Sequence, residues 1–338
     1  MASQFEARHS GPQPRRADTA NQAHEDLAME IKAKTPITDT VTQLTLVRAD
    51  GRDLPGWTPG SHIDVVLGPD MIRQYSLCGE PGDRRSWQVS VLYQPDGRGG
   101  STRLHHEVHE GESVTVRGPR NNFHLVDAPR YLFIAGGIGI TPFLPMITSV
   151  ERAGAEWSLI YGGRSRRNMP FAGGLKQAHR DRVTLVPADI DGRIDLPRIL
   201  AGATPDTAVY VCGPESLLCA AEEIAAELDN IDEIHLERFT PKTPTDAPVL
   251  DEFEVEFVRS GITVSVGSDQ SILDAARAVG IPAPFSCSEG TCGTCETNIV
   301  SGLADHRDSV LSPTEQEENS TLMICISRAA CPKITLDL

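Results

Sequence analysis

The sequence has no long apolar run. Nowhere in its 338 residues do apolar side chains approach the roughly 18 in succession that a membrane-spanning helix requires, so no membrane crossing is expected. Basic excess is missing too. Lys and Arg number 31 against 47 Asp and Glu, a formal net charge of −16, and no segment is locally basic enough to offer a nucleic-acid surface. Arg15 and Arg16 stand together as in a twin-arginine signal, but residues 17–34 lack the sustained apolar stretch that such a signal needs. With no secretory segment legible, the cytoplasm is the expected compartment and the eight cysteines are expected to be reduced.

What remains is a globular composition, 39% hydrophobic and 23% charged, in a chain long enough for two or three domains at roughly 100 to 200 residues each. Residues 1–27, rich in Gln, Pro, Arg, His and Ala without periodicity, are expected to be a disordered lead-in. Between 28 and 126, short β-type runs at 41–47, 62–67, 88–93 and 113–116 are broken by Gly and Pro, which predicts an antiparallel barrel or sandwich. From 127 to 239 apolar strands at 131–135, 157–161, 183–187 and 208–212 alternate with helical stretches, the pattern of an α/β domain with a parallel sheet. Residues 240–249 contain closely spaced prolines and no apolar pattern, and read as a linker. The rest, 250–338, opens with alternation at Phe253, Val255, Phe257 and then Ile262, Val264, Val266, followed by a helix predicted over 271–279; a small α+β domain is expected. Residues 240–338 together hold 15 acidic and 6 basic side chains, −9 of the total.

Cys287, Cys292 and Cys295 form C-x4-C-x2-C, with Cys325 far downstream, the spacing of a plant-type [2Fe-2S] centre. Zinc is the competing reading, but zinc sites usually pair two short knuckles, whereas three ligands here share one loop. Cys325 is preferred to Cys331 as the fourth ligand because it lies in the apolar run 322–326, a predicted strand. Small residues between the loop cysteines (Ser286, Ser288, Gly290, Thr291, Gly293, Thr294) would let backbone N–H groups approach the sulfurs.

Residues 131–135 run straight into Gly136, Gly137, Ile138, Gly139, Ile140, Thr141 and Pro142, with a helix-like stretch from Phe143. Such a layout suits a phosphate cradle or a tight structural turn, and it lacks the third glycine of the Rossmann fingerprint. Two more strand ends carry Gly with polar residues where open α/β sheets bind ligands: Arg164 and Ser165 after one, Cys212, Gly213 and Pro214 after the other. No histidine pattern supports Cys212 as a nucleophile; a small soft residue beside a flat ring is the better reading. Arg73, Gln74, Tyr75 and Ser76 offer a cation, an aromatic face and a hydroxyl on one strand, with Arg73 and Tyr75 sharing a face; a plain edge strand competes. Gly97 to Thr102, including Gly99, Gly100 and Ser101, forms a second glycine turn into a helix.

Together these motifs, with Glu237, Arg238, Phe239 and the four cysteines, resemble the ferredoxin-NADP reductase superfamily. Their order is similar to the phthalate dioxygenase reductase family, vanillate demethylase reductases included, over about residues 28–338. The resemblance implies an antiparallel β-barrel flavin domain, an α/β parallel-sheet nicotinamide domain and an α+β β-grasp ferredoxin domain. It implies that Arg73 with Ser101 or Thr102 grips the flavin phosphate, that Tyr75 packs on the isoalloxazine, that Ser76 sits near its N5, and that Phe239 stacks on the other face. Ser76, Cys212 and Phe239 would be the catalytic set. Gln74, Gly99, Gly100, Gly137, Gly139, Thr141, Pro142, Arg164, Ser165, Gly213 and Pro214 would complete the flavin and nicotinamide sites. FMN is implied rather than FAD, and NADH as donor, although Arg164, Arg166 and Arg167 could receive a 2'-phosphate. NADH delivers two electrons as a hydride and a [2Fe-2S] cluster takes one at a time, so a flavin between them is physically required. The implied activity is that of a monomeric reductase component passing single electrons to a separate Rieske-type oxygenase. A diiron hydroxylase as acceptor, or a redox-sensing binding module, are the alternatives.

Overall fold

The computed structural model describes residues 26–68, 71–231, 233–241 and 252–338. The expected lead-in up to residue 25 and linker residues 242–249 lie outside the described residues.

Period-two alternation builds the first sheet from β1 (Leu27–Thr38), β2 (Val41–Arg48), β3 (Ser61–Gly68), β4 (Met71–Ser76), β5 (Trp87–Leu92) and β6 (Ser113–Asn121). Their order is β4-β3-β6-β1-β2-β5, and every pairing is antiparallel. A bridge between Leu77 and Val89, continued by Cys78 N–H donating to Gln88 O at 2.9 Å, joins the β4 end to β5 and closes the sheet into a barrel rather than a sandwich. Met29, Ile31, Leu44, Leu46, Ile63, Val65, Trp87 and Val89 fill it. Strand β1 escapes the sequence pattern because the alternation of Leu27, Met29 and Ile31 gives way to Lys34 and Pro36 in its second half.

The second sheet is parallel, with β7 (Arg130–Gly136), β8 (Glu156–Gly163), β9 (Val183–Pro187), β10 (Thr207–Cys212) and β11 (Ile234–Glu237) in the order β11-β10-β7-β8-β9. Such strands read as continuous apolar runs because both faces are covered. Tyr131, Phe133 and Ala135 of β7 pack with the helix Phe143–Arg152 in one cluster, while Leu132 and Ile134 pack with helices Leu196–Ala201 and Glu215–Ala226 in another. Two tyrosine hydroxyls fasten the chain that enters this sheet from the barrel. Tyr210 accepts from Val126 N–H at 2.8 Å and donates to His124 O at 2.9 Å; Tyr131 accepts from Ala128 N–H at 3.0 Å and donates to Val126 O at 2.8 Å.

The third domain contains β12 (Glu252–Phe257), β13 (Ile262–Gly267), β14 (Glu296–Ser301), β15 (Ala304–Asp305), β16 (Thr321–Met323), β17 (Arg328–Ala329) and β18 (Lys333–Leu336). Its mixed sheet runs β13-β12-β18-β14-β16, with β12 parallel to β18, and β15 pairs with β17 apart from it. The helix Ile272–Ala278 packs into the same core, and the Ser271 hydroxyl caps it by accepting Asp274 N–H at 3.0 Å. This is the expected α+β β-grasp. One expectation fails: the strand predicted at 322–326 stops at Met323, and Cys325 sits in the following turn, where Met323 O accepts the N–H groups of Ile326 and Ser327. Leu322, Met323 and Ile324 are fully buried, and an apolar run cannot distinguish a buried strand from a buried turn.

Replacing Tyr210 by Phe removes both bonds, from the part-buried Val126 N–H and to His124 O, a loss of about 0.5–1.5 kcal/mol each. Scanning calorimetry of Tyr210→Phe should show the parallel-sheet domain melting earlier with the barrel transition little changed. An unmoved calorimetric trace would show that the hydroxyl fastens nothing.

Candidate functional site

Strand β4 lies where all three domains meet. Its register against β3 pairs Val65 with Arg73, Asp64 with Gln74, Ile63 with Tyr75 and His62 with Ser76. Alternation therefore sends Arg73 and Tyr75 one way and Gln74 and Ser76 the other. The Arg73 guanidinium donates to Ile72 O at 2.8 Å and Arg98 O at 2.7 Å, crossing the start of the helix Gly100–His106. A Cβ on Gly100 would come within 2.5 Å of the Arg73 side chain, so only glycine admits the arginine there. Tyr75 packs partly buried against the barrel core. Ser101 faces back into its own loop, its Oγ accepting from Gln94 N–H at 3.0 Å.

On the other side of β4, Ser76 Oγ donates to Glu237 Oε2 at 3.3 Å, and Cys212 Sγ lies 3.9 Å from the same oxygen. Cys212 and Glu237 are parallel neighbours at the ends of β10 and β11. Beside them Gly139 touches the backbone of Cys212 and Gly213, where a Cβ would fall 2.3 Å from Cys212 O. The glycine turn expected at 136–142 is thus a close crossing of two strand ends: Gly137–Ile140 forms a 3-10 turn, the Tyr161 hydroxyl lies 3.0 Å from Gly137 O, and Thr141 Oγ1 donates to Ile138 O. Pro142 precedes the helix Phe143–Arg152 at its N-cap. Arg164 is exposed and Ser165 bonds Asn168, both at the end of β8, and Phe239 stands 42% exposed just past β11. Arg238, in contrast, is buried in an ion pair with Glu215 at 3.1 Å and a second with Glu222.

The cysteine loop is wrapped tightly. Cys287, Cys292, Cys295 and Cys325 are all buried, and the thiols form one group: Cys287 interacts with Cys292 and Cys325, and Cys325 with Cys295. Backbone N–H groups of Glu289 and Thr291 point at Cys287 Sγ (3.3 and 3.5 Å), and that of Thr294 at Cys292 Sγ (3.4 Å). Hydrogen bonds from Cys292 and Cys325 hold the Cys287 thiol far below its ordinary range, while Cys325 is pushed up chiefly by donating to Cys287 and Cys295. Four buried cysteines, with backbone amide donors at the sulfurs of Cys287 and Cys292, suit a soft metal centre. Cys331 is elsewhere, its sulfur accepting Leu303 N–H at 3.1 Å.

This loop rests on the barrel. Ser286 Oγ donates to Asp64 Oδ2 at 2.5 Å, Thr291 Oγ1 to Gln74 Oε1 at 3.2 Å, and Asn122 Nδ2 to Cys292 O at 2.9 Å. A small cavity of about 40 Å³ lies at the triple junction, lined by His62, Asn122, Glu237, Arg238 and Thr291 among others, with room for a water molecule.

Comparison with known proteins bears on this arrangement. Residues 256–330 match the 2Fe-2S iron-sulfur cluster binding domain. The chain is 40% identical over 296 residues to the phenoxybenzoate dioxygenase subunit beta of Ectopseudomonas oleovorans, covering 86% of this chain and 91% of that one. It is 37% identical to the carnitine monooxygenase reductase subunit of Escherichia coli K12, covering 92% and 98%. Among solved structures, phthalate dioxygenase reductase superposes with a TM-score of 0.67 at 31% identity, covering 93% of this chain and 98% of the other. The chain belongs to the phthalate dioxygenase reductase family. A type IV self-sufficient cytochrome P450 monooxygenase also matches, with a TM-score of 0.86 and 44% identity over 93% of this chain, though the match spans only 41% of that longer chain.

As a member of the phthalate dioxygenase reductase family the protein is an oxidoreductase, with a 2Fe-2S domain behind a fold that binds flavin and pyridine nucleotide. No helix among the described residues is long and apolar enough to cross a membrane. Glu237 carries no role that the sequence alone assigns. The signal available was a lone acidic residue ending a strand beside Phe239; only the fold brings it to Ser76 and Cys212. Burial pushes its carboxyl up to about 8, against the lowering effect of the Ser76 and Cys212 hydrogen bonds. The native carboxyl therefore keeps a proton between its ordinary 4.5 and about 8 that the unfolded chain has released, and stability must fall as pH rises through that window and level off above it. Melting temperatures of flavin-depleted protein from pH 5 to 9 should show this slope, and Glu237→Gln should flatten it. An equal slope in both proteins would place the titration elsewhere.

Proposed function

We propose that the chain is the NADH-dependent reductase component of a two-component Rieske-type oxygenase, linking NADH, FMN and a [2Fe-2S] cluster to a separate terminal oxygenase. The observation that carries this reading is strand β4: within four residues it meets the Gly100 turn through Arg73, the cysteine loop through Gln74 and the parallel-sheet domain through Ser76. In this reading Cys287, Cys292, Cys295 and Cys325 hold the cluster, which their grouping and the isolation of Cys331 support. Arg73 takes the flavin phosphate beside Gly99, Gly100 and Ser101 or Thr102, Tyr75 supports the ring, and Phe239, left open to solvent, covers its other face. Gly137, Gly139, Thr141, Pro142, Gly213 and Pro214 shape the nicotinamide crevice, with Arg164 and Ser165 toward the adenosine end. A flavin and a cluster held by these residues would supply the conversion of a two-electron hydride donor to single-electron delivery. The chain's own part is orientation and proton holding: Ser76 donates to a Glu237 carboxylate or accepts from the protonated form, and buried Cys212 keeps water from the crevice. A monomer working in the cytoplasm is part of the proposal.

Relatives named as reductase subunits support an oxygenase as acceptor. A haem-containing acceptor is a second reading, favoured by the P450 match and by a 36% identical relative named heme-dependent oxidative N-demethylase beta subunit. Turnover with a Rieske oxygenase and with a haem oxygenase, compared at equal concentrations, separates the two.

Acid extraction of the purified protein should release a mononucleotide flavin; recovery of FAD would overturn the FMN assignment and leave the rest standing. Cys292→Ser exchanges a soft thiolate for a hard, weakly acidic hydroxyl, so the cluster should be lost or badly assembled. NADH should still bleach the flavin at close to the original rate, since that step needs only Tyr75, Ser76, the Gly136 to Pro142 turn and Cys212, all outside the third domain, while cytochrome c reduction collapses. A cluster-free variant with full cytochrome c activity would mean that the flavin delivers electrons directly.

A further inference from the structure

Asp64 has no place in the flavin or nicotinamide chemistry, yet it is fully buried on β3 and accepts hydrogen bonds both from its own domain and from the third. Its Oδ1 accepts from Gln74 Nε2 at 3.0 Å and from Arg120 at 2.5 Å; its Oδ2 accepts from Ser286 Oγ of the third domain at 2.5 Å. Burial would raise its pKa, but the Arg120 guanidinium and the hydrogen bonds from Arg120 and Ser286 outweigh this and keep the carboxyl below its ordinary range. The Gln74 amide, oriented by Asp64, presents its oxygen to Thr291. Ser286 and Thr291 are the residues immediately before Cys287 and Cys292. Asp64 thus reaches both ends of the segment that carries two of the four clustered sulfurs, once directly and once through Gln74.

We propose that Asp64 is a positioning residue that seats the cysteine loop against the barrel and thereby sets the rate of electron passage between flavin and cluster. The inference rests on the electron route proposed above. Ionised acceptors make hydrogen bonds about twice as strong as neutral ones, and a carboxylate fixed by Arg120 from within the barrel cannot follow the loop if it drifts. A fixed hub of this kind enforces one placement of the third domain. The exposed Arg98–Glu289 pair at the rim, 2.6 Å, is too open to do so.

The test uses the holoenzyme with Ser286→Ala, which removes the direct cross-domain hydroxyl, leaves Asp64 with Arg120 and Gln74, and keeps the Thr291 hydroxyl, which also bonds Cys287. Flavin reduction by NADH and the potential of the cluster should be unchanged. Single-turnover cluster reduction should slow at least about tenfold, because small losses of placement are costly in transfer steps. Amide hydrogen exchange in residues 286–294 should rise by a similar factor. Cluster reduction within twofold of wild type overturns the proposal, and so does a slower rate matched by a shifted cluster potential, since driving force would then be the cause. If Ser286→Ala fails to assemble a cluster, Asp64→Asn, which leaves the loop sequence intact, decides by the same two readouts. Absence of any NADH-driven cluster reduction in the wild type would sink the electron route instead, and the seat would then stand or fall on loop exchange alone.

Discussion

The register between β3 and β4 is the constraint on which the functional geometry hangs. A slip of one residue in an antiparallel pair reverses the facing of every side chain. Shifted by one, β4 would turn Gln74 and Ser76 away from the cysteine loop and Glu237, and would leave Asp64 opposite Arg73 or Tyr75 instead of Gln74. The barrel enforces the register on both sides of β3. Asp64 also pairs with Arg117 of β6 across the next ladder, with Arg120 close enough to donate to its carboxylate, and Ile63 and Val65 are locked in the core. A buried carboxylate that finds its cation only in one alignment penalises the others by leaving a charge unpaired.

Close backbone approach is the second device, and it operates where strands end. Gly139 against Cys212 and Gly100 beneath Arg73 are places where no side chain fits. Each brings a polar group into a crevice that would otherwise be filled: the thiol of Cys212 near Glu237, and the guanidinium of Arg73 over a helix start. These positions could be expected from sequence as glycine turns, but which partner each glycine admits depends on strand order, and β10 neighbours β7 only through a crossover.

Legibility followed the strength of local periodicity. The parallel strands and the alternation at Phe253 to Val266 announce themselves because burial on both faces or on one imposes a pattern within six or seven residues. The cysteine spacing is likewise local, since one loop must wrap the group. Strand β1 was illegible because half of it is polar, and the strand expected through Cys325 ends early because a buried turn is as apolar as a buried strand. Glu237 and Asp64 were illegible for a different reason. Each is an unremarkable acidic residue until a partner from another domain, Ser76 for one and Ser286 for the other, is brought within hydrogen-bond distance. No periodicity encodes such a meeting.

Four polar contacts join the third domain to the barrel among the described residues: Ser286 with Asp64, Thr291 with Gln74, Asn122 with Cys292 O, Arg98 with Glu289. Polar pairs of this kind give up nearly as much in desolvation as they return in attraction, so they contribute orientation more than affinity. An apolar seam would hold more firmly but would tolerate sliding, since dispersion and the hydrophobic effect have little directional preference. A domain whose task is to present a redox centre at one distance from another gains more from direction than from strength. A carboxylate held by Arg120 inside the barrel and met by Ser286 from the third domain supplies that direction at the junction.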